Sequence, residues 1–169
     1  PRPPGPALLA LPSALRGASA VGLVVDASVM TVDGVGFATL DTVERSDVET
    51  AIDGFASALL GDLTARLEVP VGWAAAENGP GAVRLVVRLL DLYRAPYGVG
   101  AGSSLWLRAD WEVDGEVTDT IDIEAGSGTA YVRGGARAAP GHFGWDARMT
   151  YLAAPVGERL AEFFDAARR

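Results

Sequence analysis

The sequence predicts an α+β domain, an antiparallel sheet of four to five strands with two helices packed on one face. Three observations carry that expectation. An apolar stripe at helical spacing follows a capping sequence at Ser46, three later segments alternate apolar and polar residues, and a second helical stripe closes the chain.

The chain opens on Pro1, Arg2, Pro3, Pro4, Gly5 and Pro6, whose four prolines fix φ and donate no amide proton, so neither a helix nor a central strand can form. Residues 1–18 read as a proline-rich tether and apolar lead-in, and residues 19–169 as a single domain. The first strand is expected over 20–32, where Val21, Leu23, Val25, Ala27 and Val29 share one face. Ser46 and Glu49 have the Ser-x-x-Glu spacing of a capping box, which places a helix start there. Val48, Ile52, Phe55, Leu59, Leu63 and Leu67 then recur every three or four residues, and Pro70 ends the helix. Beside that stripe Gly54, Ala58, Gly61 and Ala65 form a row of small residues, expected to pack tightly on the sheet, with a docking groove for a partner helix as the alternative.

Strand patterning takes over near Val69. A short strand is expected over 69–76, closed by the turn composition Glu77-Asn78-Gly79-Pro80-Gly81. The next runs over 82–93, with Val83, Leu85, Val87, Leu89 and Tyr93 on one face and Arg84 and Arg88 on the other. Over 104–113 Leu105, Leu107, Ala109, Trp111 and Val113 point one way, and Trp106, Arg108, Asp110 and Glu112 the other. Asp114-Gly115 is a hairpin signal, and the strand returning over 116–125 should turn Val117, Ile121 and Ile123 inward. Residues 126–144, with six glycines, read as a long surface excursion. Met149, Leu152, Val156, Leu160 and Phe163 or Phe164 restore helical spacing, and Pro155 inside that run predicts a kink or the first turn of a second piece.

Composition narrows the chemistry. Fourteen basic residues against 22 acidic ones give a net charge of −8, which repels nucleic-acid phosphates and anionic headgroups. All the basic residues are arginine, so no lysine can form a Schiff base or cradle a phosphate. Without cysteine there is no disulfide, thiolate nucleophile or Cys-ligated zinc. His142 stands alone, with no serine-nucleophile motif beside it. The outward acids Asp110, Glu112, Glu116, Asp119, Asp122 and Glu124 read as a solvated sheet face rather than a catalytic pair. No enzymatic activity, metal or cofactor is therefore expected. The glycine-rich run after Tyr93, through Gly98, Gly100 and Gly102, lies between strands rather than before a helix, so it reads as a wide solvent-facing loop and not a phosphate site. Tyr93, Arg94 and Tyr97 at that loop, and Trp106 on the polar sheet face, are the candidate partner contacts. As anchors, Arg94 and Tyr97 should be substantially exposed.

Arg94, Gly98, Gly100, Ala101, Gly102 and Ser103, the strands through Trp111 and Ile123, the glycines of 126–135 and the closing helix together resemble a family of uncharacterised bacterial envelope lipoproteins. The likeness covers residues 83–169, and the chain departs from the pattern over 136–145 and at Pro155. The resemblance implies a fold like the N-terminal domains of curli-export and Tol-system envelope proteins. It also implies a non-catalytic accessory domain, periplasmic or anchored to the outer membrane, that meets other envelope proteins or copies of itself. Membrane contact would come only through a lipid anchor outside these residues. A small-molecule or lipid carrier with a pocket between helices and sheet is the alternative reading.

Overall fold

The computed structural model describes residues 13–74, 79–94, 103–126 and 145–169. Its strands are β1 (Ala20–Asp26), β2 (Thr31–Val32), β3 (Val35–Gly36), β4 (Val71–Trp73), β5 (Ala82–Tyr93), β6 (Ser104–Val113) and β7 (Glu116–Gly126), and its helices are α1 (Thr42–Arg66) and α2 (Trp145–Arg168). All seven strands belong to one sheet. β5 is its central strand: β1 and then β2 lie parallel along one edge of it, and β6 lies antiparallel along the other. β7 continues the antiparallel side, β4 lies parallel to β1 at the opposite border, and β3 pairs with β2. The α+β class holds, but the sheet is larger than expected and mixed rather than antiparallel.

The strand expected over 20–32 is broken after Asp26. The Asp26 side chain accepts a hydrogen bond from the Ser28 amide at 2.9 Å, turning the chain and leaving Val29 exposed instead of inward. A small hairpin follows, with Asp33 and Gly34 both at positive φ (51° and 81°). Asp114 and Gly115 adopt the same conformation (52° and 83°) between β6 and β7, the paired left-handed geometry that tight hairpins demand.

Helix α1 begins earlier than its sequence suggests. Asp41, not Ser46, is the N-cap, and its carboxylate accepts from the Glu44 amide at 2.9 Å. Val48, Phe55, Leu59 and Leu63 are buried as the stripe requires. The small row has a different neighbour from the sheet: a Cβ on Gly54 would come within 2.9 Å of Thr150 Oγ1 on α2, whereas one on Gly61 would meet open space. Gly157 of α2 lies directly beneath the Asp62 carboxylate of α1, so two glycines, one from each helix, let the helices approach closely.

β4 is only three residues long, shorter than the strand expected over 69–76. Ala74 lies across Gly22, where a Cβ would sit 3.1 Å from the Ala74 Cα, and its amide donates to the Leu23 carbonyl at 3.0 Å. Gly22 therefore makes room for Ala74 beside β1.

Both helices cover the same sheet face. Val21 and Leu23 of β1, Val83, Leu85, Val87 and Leu89 of β5, and Leu105, Leu107, Ala109 and Trp111 of β6 form one core with Phe55 and Leu59 of α1 and Leu152, Val156, Leu160 and Phe164 of α2. α2 runs through Pro155 as one element, so no second helical piece starts there. The lead-in joins this core: Leu15 is buried, and the Arg16 guanidinium donates to the Arg169 carbonyl at 2.8 Å.

Candidate functional site

Of the candidate residues, Trp106 and Tyr93 lie on the sheet face opposite the helices, and an irregularity in β5 puts Tyr93 there. Ala82 to Leu89 pair residue for residue with β6, but the register shifts between Leu89 and Asp91. Leu90 is the extra residue. Such a bulge reverses the side-chain alternation beyond it. Leu92 consequently enters the core, fully buried opposite Leu105, while Asp91 and Tyr93 pass to the open face opposite Trp106 and Ser104. Tyr93, expected with the apolar side, is instead half exposed, as is Trp106 (50% and 53%). A second bulge between Trp111 and Glu112 pairs Glu112 with Val117, so Val117 faces solvent rather than the core. Asp119, expected outward, lies opposite Trp111 on the helix side, where it accepts from the Ser13 hydroxyl at 3.5 Å.

The remaining charges of the open face form a cross-strand lattice. Asp110 is buried, and its carboxylate accepts from Arg88 on β5 and from the Thr120 hydroxyl on β7 at 2.7 Å. Arg88 also lies 3.9 Å from Asp26 on β1, and Arg84 lies 3.6 Å from Glu112. Arg108 holds Asp122 through two bonds, at 2.8 and 3.3 Å. The Ser28 amide and hydroxyl, with Arg88 adding to them, hold the Asp26 carboxyl below its usual value of 3.8, and Arg108 does the same to Asp122. A depressed carboxylate stabilises the fold fully above its unfolded pKa, and that contribution is lost as pH falls through the native pKa. Asp26→Asn should therefore destabilise the domain near neutrality, and the gap from the native protein should narrow below about pH 4. Thermal melts of both proteins from pH 7 down to about pH 2 test this, and a gap that widens on acidification would contradict it.

Arg94 is the candidate the structure uses internally. Its amide donates to Asp33 Oδ1 and its Nε to Asp33 Oδ2, each at 2.7 Å, and Nη2 lies 3.5 Å from Glu44 Oε1. Its side chain is 20% exposed. The substantial exposure expected of a partner anchor is thus not met by Arg94, which ties the end of β5 to the first hairpin and the start of α1. Tyr97, His142 and the glycine-rich loop lie outside the described residues, as does most of the excursion over 126–144. Between the layers, Phe55, Leu59, Leu63, Trp111 and Phe164 are fully buried. Among the described residues no helix is long and apolar enough to cross a membrane.

The fold defined here is an α+β domain in which, among the described residues, both helices lie on one face of a mixed sheet. No protein-family model and no curated protein matches the chain. Among solved structures it is similar to hypothetical protein CT253 from Chlamydia trachomatis, at 11% identity and a TM-score of 0.50, covering 88% of this chain and 99% of that one. Weaker likenesses include the PelC dodecamer from Paraburkholderia phytofirmans (15% identity, TM-score 0.45, 83% and 85% of the two chains) and a lipoprotein candidate from Caulobacter crescentus (10%, 0.38, 90% and 93%). At such identities the similarity concerns the fold alone.

Proposed function

We propose that this chain is a non-catalytic interaction domain of the bacterial cell envelope, the water-facing part of a lipoprotein, which meets another envelope protein or a second copy of itself through the sheet face opposite the helices. One observation carries the reading. The Leu90 bulge turns Tyr93 out beside Trp106, so two half-exposed aromatic residues stand on a face that is rich in charged side chains. Aromatic side chains supply large contact area at low entropic cost and are enriched where partners bind. The resemblance of residues 83–169 to envelope lipoproteins supports the compartment.

A photoreactive amino acid placed at Trp106 in the full gene product tests both parts together. Irradiation in cells should yield a cross-linked species in the envelope fraction, and the same probe at Glu158, an exposed residue on α2, should not. Recovery of the protein in the cytosolic fraction, or equal cross-linking from both positions, would overturn the reading.

A further inference from the structure

The aromatic pair is flanked by carboxylates in a way the partner reading does not require. Trp106 has Asp91 as its cross-strand neighbour on β5 and Glu124 on β7, so an acid stands on either side of the indole. Tyr93 lies one step along the same face, diagonal to Trp106, and its cross-strand neighbour Ser104, like Gly126 beyond it on β7, is too small to cover its ring. Asp91 is held by the Thr31 hydroxyl, which fixes its carboxylate on that side, and Glu124 is exposed. Arg108, the closest cation along β6, is already occupied by Asp122. Among the described residues of this face Arg84, Arg88 and Arg108 oppose Asp26, Asp91, Asp110, Glu112, Asp122 and Glu124, which leaves three carboxylates in excess.

An aromatic face attracts a cation through its quadrupole, and flanking carboxylates add direct Coulomb attraction. A planar guanidinium can stack on an indole while its edges donate to acids on both sides. We infer that Tyr93, Trp106, Asp91 and Glu124 form a receptor for an arginine side chain presented by a basic segment of a partner protein. This inference rests on the reading of the open face as the interaction surface. The chain's net charge of −8 favours the approach of such a segment over that of an acidic one.

Tetra-arginine peptide titrated into the isotope-labelled full chain provides the test, read at the Trp106 indole N–H resonance, which Trp106→Phe assigns by its disappearance. The expected result is a saturable shift at Trp106 and at the Tyr93 and Glu124 amides, weakened by added salt and absent with tetra-glutamate. Trp106→Ala should weaken binding about 5- to 30-fold, Trp106→Phe much less, and Glu124→Gln about 2- to 5-fold, all with unchanged melting temperature because these side chains are exposed. An equal response to tetra-glutamate, binding untouched by Trp106→Ala, or shifts that ignore Trp106 would overturn the inference. A Trp106 shift that depends on protein concentration without peptide would overturn it too, by making a second copy the occupant. The two proposals fail separately: cross-linking at position 106 that Glu124→Gln and salt leave unchanged would keep the interaction face and reject the arginine receptor.

Discussion

Replacing Trp111 by alanine is expected to lower the stability of the domain by about 3–5 kcal/mol, the range for deleting a large buried aromatic side chain. Trp111 is fully buried on β6 and stacks on Phe163 and Phe164 of α2, with ring centroids 6.3 and 5.2 Å apart. The Arg168 guanidinium lies 5.2 Å from the centroid of Phe164, adding a cation to the same cluster. Helix closes on sheet through that stack, and a hole at its root deprives both rings of the indole they stack on. Trp111→Phe should cost less than half as much. The indole N–H makes no hydrogen bond among the described residues, so the ring's volume rather than its polarity is what the site uses. Urea unfolding followed by far-ultraviolet circular dichroism separates the two variants, and a phenylalanine variant as unstable as the alanine one would show that the indole nitrogen matters.

Which of these features the sequence discloses depends on how locally each is determined. β5, β6 and the turn at Asp114 are legible because one face is dry and the other wet, and a period of two follows directly from that difference. Strand direction is not legible. The same alternation serves a parallel or an antiparallel neighbour, so nothing in Val21, Leu23 and Val25 discloses that β1 runs parallel to β5. Two signals were present but outweighed by louder neighbours. Asp33-Gly34 is the same dipeptide as Asp114-Gly115, yet the apolar run before it reads as one uninterrupted strand. Asp41 stands three residues before Glu44 with the same acidic spacing as Ser46 and Glu49, and it is Asp41 that caps the helix. The candidate site divides along the same line. Trp106 on a polar face is visible from alternation alone, whereas the side of the sheet taken by Asp91 and Tyr93 depends on a bulge at Leu90, where no glycine or proline advertises it. The internal role of Arg94 was invisible for a related reason: its partners Asp33 and Glu44 are 61 and 50 residues away in the chain.

Arg94→Ala should therefore act on stability, with a loss of about 1.5–3 kcal/mol, the range for hydrogen bonds to charged groups. For a domain of this size that corresponds to a fall in melting temperature of roughly 3–12 °C. The bond from the Arg94 amide to Asp33 survives the substitution, but the Nε bond and the contact with Glu44 do not, and Asp33 keeps its positive φ with one carboxylate oxygen unpartnered. Asp33→Asn should recover part of the native stability, since its amide oxygen can still accept from the Arg94 backbone and asparagine tolerates the left-handed region. Tyr93→Ala, one residue earlier but on the exposed face, should change stability by no more than about 0.5 kcal/mol. The contrast between these neighbours is the measurement that counts: thermal unfolding of the two single variants under identical conditions. A stable Arg94→Ala protein would show that its bonds to Asp33 and Glu44 do not hold the end of β5 in place, and an unstable Tyr93→Ala protein would show that the bulged end of β5 needs its aromatic ring to hold the sheet together rather than to meet a partner.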